Sequence, residues 1–211
     1  MKLIFLGPPG AGKGTLAGAV SKELGIPQIS TGDIFRDAIK RETELGKKVK
    51  EIVGRGDLVP DDLTVSLVRE RLGREDAKKG YILDGFPRTI PQAEALEKIQ
   101  DLDAVVNFAI EEAAIVRRLS GRRVCKACGA IFHAETMRPK QEGVCDACGG
   151  PLYTREDDRI ESIRNRLEVY TRQTEPLVAF YTERRLLRNI DSSRTPEDTL
   201  AQIRRALSYT R

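Results

Sequence analysis

Residues 7–15 read Gly7-Pro8-Pro9-Gly10-Ala11-Gly12-Lys13-Gly14-Thr15. An apolar run at 2–6 precedes this glycine-rich stretch, and a helical pattern at 16–24 follows it. A strand, a glycine turn and a helix in this order are the context that a phosphate-binding loop requires. The glycines let the backbone approach a ligand and aim its amides at an anion, while Lys13 adds a positive charge for the outer phosphates. An ordinary glycine turn before a helix is the alternative interpretation.

The position of the hydroxyl narrows the class of phosphate-binding loop. In the common form a Ser or Thr follows the lysine directly, whereas here Gly14 intervenes and Thr15 carries the hydroxyl. This form is typical of nucleoside monophosphate kinases rather than of GTPases. The sequence also lacks the Asn-Lys-x-Asp motif that a GTPase uses for guanine, which disfavours a GTPase switch.

Composition bounds the class of protein. The chain has 211 residues, 40 % of them hydrophobic and 32 % charged, which favours one globular domain with insertions. The net charge of +4 is mild and fits either nonspecific nucleic-acid binding or an arginine-lined site for phosphorylated small molecules. No apolar run approaches the ~20 residues of a membrane span. Residues 3–6 are too short for a signal-peptide core, so we expect a cytoplasmic protein.

A second informative stretch covers residues 80–88. A buried apolar strand at 81–83 ends in Asp84, and a Gly, a Phe and a Pro lead to Arg88. Because ligands bind at the carboxyl ends of strands in open parallel sheets, Asp84 is placed to hold Mg²⁺ through waters and Arg88 to grip a phosphate. A helix cap in a turn is the alternative role for Asp84.

The segment 28–36 reads as a short strand followed by a helix at 34–41. We expect Thr31 or Asp33 to cap that helix. The same residues, together with Arg36, are also those that a phosphate-accepting pocket would use.

All four cysteines lie in one segment with the spacing Cys125-x2-Cys128-x16-Cys145-x2-Cys148. Two Cys-x-x-Cys-Gly turns at this separation predict a structural zinc ribbon with four thiolate ligands. Iron in the same site, or two disulfides, are the alternatives, and disulfides are disfavoured in a chain without a secretion signal. We expect His133, the only histidine, to be a surface residue of this ribbon.

Downstream, the pattern predicts a long helix from about residue 159 that Pro176 interrupts, a strand at 186–190 and a closing helix at 196–207. The whole chain thus predicts an α/β fold, a doubly wound five-stranded parallel sheet with two insertions. The core comprises 1–29, 60–121 and 159–211. The insertions are a helical one at 30–59 and the ribbon at 122–158.

The motifs resemble those of the adenylate kinase family in its long-lid form, whose lid carries zinc. The resemblance covers the whole chain and rests on residues 7–15, 29–33, 84–89, 121–124 and 157–158. It implies reversible Mg²⁺-dependent phosphoryl transfer from ATP to AMP, giving two ADP, in a monomer that binds neither nucleic acid nor membrane. By the same resemblance 30–59 is the NMP-binding insertion and 122–158 the lid.

The resemblance also implies the site. The catalytic residues would be Lys13, Asp84, Arg88, Arg122, Arg155 and Arg166. ATP would be bound by Gly10, Ala11, Gly12, Lys13, Gly14, Thr15, Arg118, Arg122, Ile131, Phe132 and Arg194. AMP would be bound by Thr31, Arg36, Asp57, Leu58, Val59, Gly85, Phe86, Pro87, Arg88, Gln92, Arg155 and Arg166, with Gln92 reading the adenine edge. The zinc ligands would be Cys125, Cys128, Cys145 and Cys148.

Two other functions remain open from sequence. A UMP/CMP-type kinase would share the fold and mechanism and differ in the acceptor base. A zinc-ribbon nucleic-acid-binding protein is disfavoured because the stretch between Cys125 and Cys148 has only Phe132 as a candidate stacking aromatic among its basic residues.

Overall fold

A five-stranded sheet forms the centre of the protein, in a computed structural model that describes residues 1–208. The strands are β1 (Lys2–Leu6), β2 (Gln28–Ser30), β3 (Tyr81–Asp84), β4 (Ala104–Ala109), β5 (Arg122–Cys125), β6 (Ile131–His133), β7 (Leu152–Tyr153) and β8 (Leu187–Asp191). The central sheet has the order β2-β3-β1-β4-β8, and every neighbouring pair is parallel. The predicted doubly wound α/β fold is therefore confirmed.

Nine α-helices flank or extend this sheet within residues 1–208. They are α1 (Lys13–Leu24), α2 (Thr31–Lys40), α3 (Glu44–Arg55), α4 (Asp61–Leu72), α5 (Ile90–Glu97), α6 (Glu112–Ser120), α7 (Ile160–Val169), α8 (Pro176–Glu183) and α9 (Pro196–Ala206). A π-helical segment, Tyr170–Thr174, joins α7 to α8 just before Pro176, so the predicted interruption is confirmed. None of these helices has the length and apolar character needed to cross a membrane.

The cap of α2 differs from the prediction. The side chain of Ser30 accepts a hydrogen bond from the backbone N–H of Asp33 at 3.2 Å, which makes Ser30 the N-cap. The hydroxyl of Thr31 instead donates to the carbonyl of Gly85 at 2.8 Å. The expectation that Thr31 or Asp33 caps this helix is therefore wrong, because Thr31 is already inside the helix and ties it to the end of β3.

The sheet is covered on both faces. In β1, Ile4 and Leu6 belong to one hydrophobic cluster with α5 and α8, whereas Leu3 and Phe5 belong to another with α1 and α9. Alternation along a strand sends successive side chains to opposite faces, so a fully apolar strand requires helices on both sides. The carboxyl end of β1, where residues 7–12 begin, is thereby fixed by packing on both faces.

The two insertions are built differently. The helical insertion, residues 30–59, holds α2 and α3 around the buried side chains of Phe35, Val49 and Val59. The lid holds an antiparallel sheet in the order β6-β5-β7, whose buried cluster is Cys125, Phe132 and Cys145.

Candidate active site

A cleft of about 1000 Å³ opens at the carboxyl ends of β1 and β3. A second cavity of about 60 Å³ adjoins it and shares Arg36, Arg88 and Arg166 with it. The predicted site residues that line the cleft are Gly10, Ala11, Gly12, Lys13, Gly14, Thr15, Arg36, Leu58, Asp84, Gly85, Pro87, Arg88, Arg118, Arg122, Ile131, Phe132, Arg155, Arg166 and Arg194. Those that line only the smaller cavity are Thr31, Asp57, Val59 and Gln92.

Phe86 lines neither cavity. Its side chain is 1 % exposed and packs in the hydrophobic cluster beneath the sheet. The side chain thus anchors the loop that carries Pro87 and Arg88, and the AMP-binding role that the resemblance implies for Phe86 stays a prediction.

The glycine-rich loop is shaped to receive an anion. Gly7, Gly10 and Gly12 all have positive φ, at 140°, 80° and 89°, and Gly12 caps α1 without any side-chain hydrogen bond. The first amides of α1 thus keep their donors for a ligand. Lys13, the first residue of α1, donates from Nζ to the carbonyls of Gly7 and Pro8 at 2.7 Å each, which holds the loop closed upon itself.

Burial perturbs both charges at the base of the cleft. Desolvation lowers the pKa of Lys13 to about 8. The negative charge of Asp84 opposes this shift, and repulsion from Arg88 and Arg166 adds to it. Desolvation also raises the pKa of Asp84, and the nearby Lys13 partly opposes that shift. Perturbed pKa values of this kind, caused mainly by burial, are common among the residues of functional clefts.

Three arginines that line the cleft are held by hydrogen bonds to neighbouring groups. Arg122 makes a two-pronged contact with Asp158, at 2.7 and 2.5 Å, and Arg166 reaches Asp158 at 3.2 Å and the carbonyl of Asp157 at 2.9 Å. Arg88 donates from Nε to the carbonyl of Gly85 at 2.9 Å. The two aspartates, both buried, thus orient the two arginines: Arg122 through a planar two-pronged contact and Arg166 through contacts of its Nη1 alone.

Arg155 differs from the other arginines of the cleft. Its Nε is buried and has no hydrogen-bond partner among residues 1–208. Burial, with repulsion from Arg36 and Arg122, lowers the pKa of Arg155 to about 10. Buried donors are nearly always satisfied, so a buried guanidinium with an unused N–H indicates an anionic ligand.

The two outer ATP candidates, Arg118 and Arg194, are held by the segment that follows β8. Arg118 donates to the carbonyl of Ser192 at 2.9 Å, and Arg194 pairs with Asp191 at 3.2 Å while remaining largely exposed. Both line the rim of the cleft. Ile131 and Phe132 of β6 line the same cleft, although Phe132 is only 8 % exposed and packs inside the lid.

The four cysteines converge at the tip of the lid. All are free, their sulfurs lie within 4.8 Å of one another, and the closest pairs are Cys125 with Cys148 at 3.5 Å and Cys128 with Cys145 at 3.6 Å. A tetrahedral zinc with Zn–S bonds of about 2.3 Å separates its sulfurs by about 3.8 Å. Backbone amides of Cys128 and Ala127 lower the pKa of Cys125 to about 6, which favours the thiolate that a metal requires. The cysteines are thus positioned to bind zinc.

His133 is not a surface residue. It is 8 % exposed, and its Nδ1 accepts the backbone N–H groups of Glu135 and Thr136 at 3.1 and 3.2 Å. The ring proton therefore sits on Nε2, which donates to the carbonyl of Arg117 at 3.1 Å. The ring lies against Gly121, where a Cβ would overlap it. The predicted surface role is wrong, because His133 connects the lid to the end of α6.

The fold and the cleft together define a P-loop nucleoside monophosphate kinase. A family model described as adenylate kinase matches residues 5–186. The chain belongs to the adenylate kinase family. It is 58 % identical over 204 residues to a protein named adenylate kinase from Treponema denticola, covering 97 % of this chain and 98 % of that one. Proteins of the same name from Carboxydothermus hydrogenoformans and Staphylococcus aureus are 52 % and 50 % identical, over 98 % and 96 % of this chain and 99 % and 97 % of theirs.

Proposed function

We propose that the protein transfers the γ-phosphoryl group of ATP to AMP, giving two ADP, reversibly and with Mg²⁺. The observation that carries this proposal is the convergence of Lys13, Arg88, Arg122, Arg155 and Arg166 on one cleft beside a phosphate-binding loop. Five cations in a desolvated cleft suit a reaction in which negative charge is spread over transferring phosphate oxygens.

The two nucleotides occupy opposite sides of Arg88. ATP lies along residues 10–15 with its γ-phosphate toward Lys13, and Arg118, Arg122, Ile131, Phe132 and Arg194 enclose its other end. AMP lies toward the smaller cavity, where its phosphate meets Arg36 and Arg88 and its base meets Gln92. Thr31, Asp57, Leu58, Val59, Gly85 and Pro87 complete that pocket, in keeping with their positions around the two cavities.

The acceptor needs no general base. A phosphate monoester has a second pKa of about 6, so AMP arrives as a dianion near neutral pH. His133, the only histidine of the chain, is not placed to act as a base, because both its ring nitrogens are engaged at the base of the lid. The protein contributes alignment and charge stabilisation, for which the planar two-pronged contacts of arginine are suited and the single point of lysine is not.

Mg²⁺ fits the carboxylate of Asp84. This residue lies at the end of β3 against Gly14 and beside Lys13, so a hydrated cation bound to the ATP phosphates would meet an oxygen ligand there. Asp84 would help to hold Mg²⁺ there, and the ion would supply positive charge that offsets the charge of the phosphates. Asp84 orients its water shell.

The two insertions exclude water from the reaction. In this proposal 30–59 and 122–158 close over the nucleotides and the three core segments stay fixed. Zinc bound by the four cysteines keeps the lid one rigid body, so Arg122 and Arg155 reach the phosphates together. We place the protein in the cytoplasm as a monomer, where thiols stay reduced and both adenine nucleotides are available.

A coupled assay of ADP formation tests this function. ATP and Mg²⁺ are supplied with AMP, CMP, UMP or GMP in turn, using protein whose zinc content has been measured. Strong turnover with AMP alone is expected. Turnover mainly with CMP or UMP would overturn the assignment of the base pocket, and no transfer to any acceptor by folded, ATP-binding protein would overturn the reaction itself.

A further inference from the structure

The side chain of Gln92 is held at both ends by protein. It is 2 % exposed, and its Nε2 donates to Oδ1 of Asp61 at 2.7 Å. Its Oε1 accepts the backbone N–H of Arg88 at 2.8 Å. The second carboxylate oxygen of Asp61 accepts the hydroxyl of Thr89 at 2.9 Å, so Asp61 is itself fixed.

These contacts permit only one orientation of the amide. A carboxylate can only accept a hydrogen bond and a backbone N–H can only donate one. Turning the amide of Gln92 by 180° would face two acceptors at Asp61 and two donors at Arg88. One N–H and one lone pair of Gln92 are left unused, and Gln92 lines the smaller cavity. The pocket therefore presents a donor and an acceptor in a fixed order.

We propose that Asp61 is a positioning residue that sets the selectivity for adenine by fixing the amide of Gln92. This inference rests on the proposed function, which places the acceptor base beside Gln92. Adenine carries an accepting N1 and a donating 6-amino group, which match the unused N–H and lone pair. Hypoxanthine and guanine carry a donating N1–H and an accepting 6-oxygen, which are the reverse. They would fit only a turned amide, and Asp61 opposes that turn.

The nearest neighbour in sequence supplies a matched control. Asp61 and Asp62 begin α4 side by side, and Asp62 is exposed. Asp61→Asn and Asp62→Asn thus remove the same charge from the same helix end. Only Asp61→Asn replaces the acceptor at Gln92 with a group that can also donate, so only this variant removes one of the two contacts that oppose turning of the amide, while the backbone N–H of Arg88 remains.

The experiment measures kcat/KM for AMP and for inosine monophosphate, which differs from AMP at the 6-position and its N1 proton. The ratio of kcat/KM for AMP to kcat/KM for inosine monophosphate should fall about tenfold in Asp61→Asn, because that is the effect of losing one hydrogen bond to a charged group. The same ratio should stay unchanged in Asp62→Asn. A role in stability alone would lower both activities alike, and an unchanged ratio in Asp61→Asn would overturn the inference.

Gln92→Leu separates this inference from the proposed function. If Gln92→Leu leaves the KM for AMP unchanged, the acceptor base lies elsewhere and the proposed pocket is wrong. If Gln92→Leu raises that KM while Asp61→Asn keeps the parental base selectivity, only the role of Asp61 is wrong.

A measurement on the unmodified protein covers the case in which Asp61→Asn does not fold. Side-chain amide NMR, with the Gln92 signal assigned by its loss in Gln92→Leu, should show two separate Nε2 protons that exchange slowly with water. Rapid exchange, as for an exposed glutamine, would show that Asp61 does not hold the amide.

Discussion

The NMP-binding insertion and the lid differ in what holds them together. Residues 30–59 enclose Phe35, Val49 and Val59 with several further apolar side chains of α2, α3 and α4 packed around them. The hydrophobic cluster of residues 122–158 has three buried members, Cys125, Phe132 and Cys145, two of which belong to the cysteine cluster. Segments this small rarely hold together by apolar burial alone. One insertion therefore rests on a hydrophobic core shared with α4, and the other on its four cysteines.

Removing the metal should give the largest loss of activity, and the loss of structure should be confined to the lid. A structural zinc site contributes on the order of 10 kcal/mol to the folding of a small module, so chelation, or Cys148→Ser, should unfold 122–158. Turnover should drop about 10⁴-fold, because Arg122 and Arg155 both leave the cleft and each such contact is worth about 10²-fold. Limited proteolysis with mass spectrometry should find new cuts in the lid and none in 30–59. If protein verified to be zinc-free shows no new cleavage in the lid and an unchanged Tm, the lid does not depend on its metal and the two insertions do not differ in this way.

Arg88→Ala should lower turnover about 10³-fold and leave both insertions intact. Arg88 lies in neither insertion, and its loss removes a charge from the point where the two nucleotides meet. Steady-state kinetics and a melting curve check this, with Arg69→Ala on the exposed face of α4 as the control. Arg88→Lys should recover little, since an ammonium cannot make the two-pronged contact. Turnover within twofold of the parent would remove Arg88 from the site.

Val49→Ala should affect the NMP-binding insertion and leave the lid unchanged. Val49 is 1 % exposed in the insertion's own cluster, so its truncation should cost about 2 kcal/mol of local stability by leaving a cavity. The KM for AMP should rise severalfold while zinc content and the KM for ATP stay constant. Lys50→Ala, one residue on and exposed, is the control. A change in zinc retention would mean that the insertions are not independent.

The smallest predicted effect is the uptake of a proton by Lys13 when ATP binds. The pKa of Lys13 is lowered to about 8 by burial, and a bound phosphate raises it, so the free protein at pH 8 is half protonated at Lys13 and the complex fully so. Binding of ATP at pH 8 should therefore take up about half a proton. Calorimetry in buffers of different ionisation enthalpy measures this uptake. Lys13→Arg, which stays protonated, should abolish it, and proton release by the parent would contradict the assignment.

Features encoded by local spacing were predictable from the sequence. The glycine loop needs positive φ at Gly10 and Gly12 within a few residues, and the four cysteines sit in two short turns, so in both cases the chemistry and the geometry lie in adjacent positions. The strand that ends at Asp84 was predictable for the same reason, because its apolar residues and the aspartate are adjacent in sequence. The parallel sheet could then be predicted from the order of the elements, because apolar strands that alternate with helices admit few other arrangements.

Features that depend on distant contacts were missed. Asp61 meets Gln92 across 31 positions and Arg118 meets Ser192 across 74, and no local pattern marks either pair. His133 was misassigned because its partner Arg117 lies on another element, although Gly121 at the end of α6 marks the space that the ring occupies. Phe86 lies in a site motif, and the motif alone did not reveal that its side chain packs in the hydrophobic core.

The buried imidazole at the base of the lid gives this protein a built-in reporter. Because the chain has a single histidine, a histidine-labelled sample yields one ring signal, and that signal comes from the junction between α6 and the lid. Its two nitrogens have different partners, one in the lid and one in the helix that carries it. Movement of the lid about this junction would thus change the chemical shift of one identifiable nucleus, and no probe would need to be attached to follow closure as each nucleotide is added.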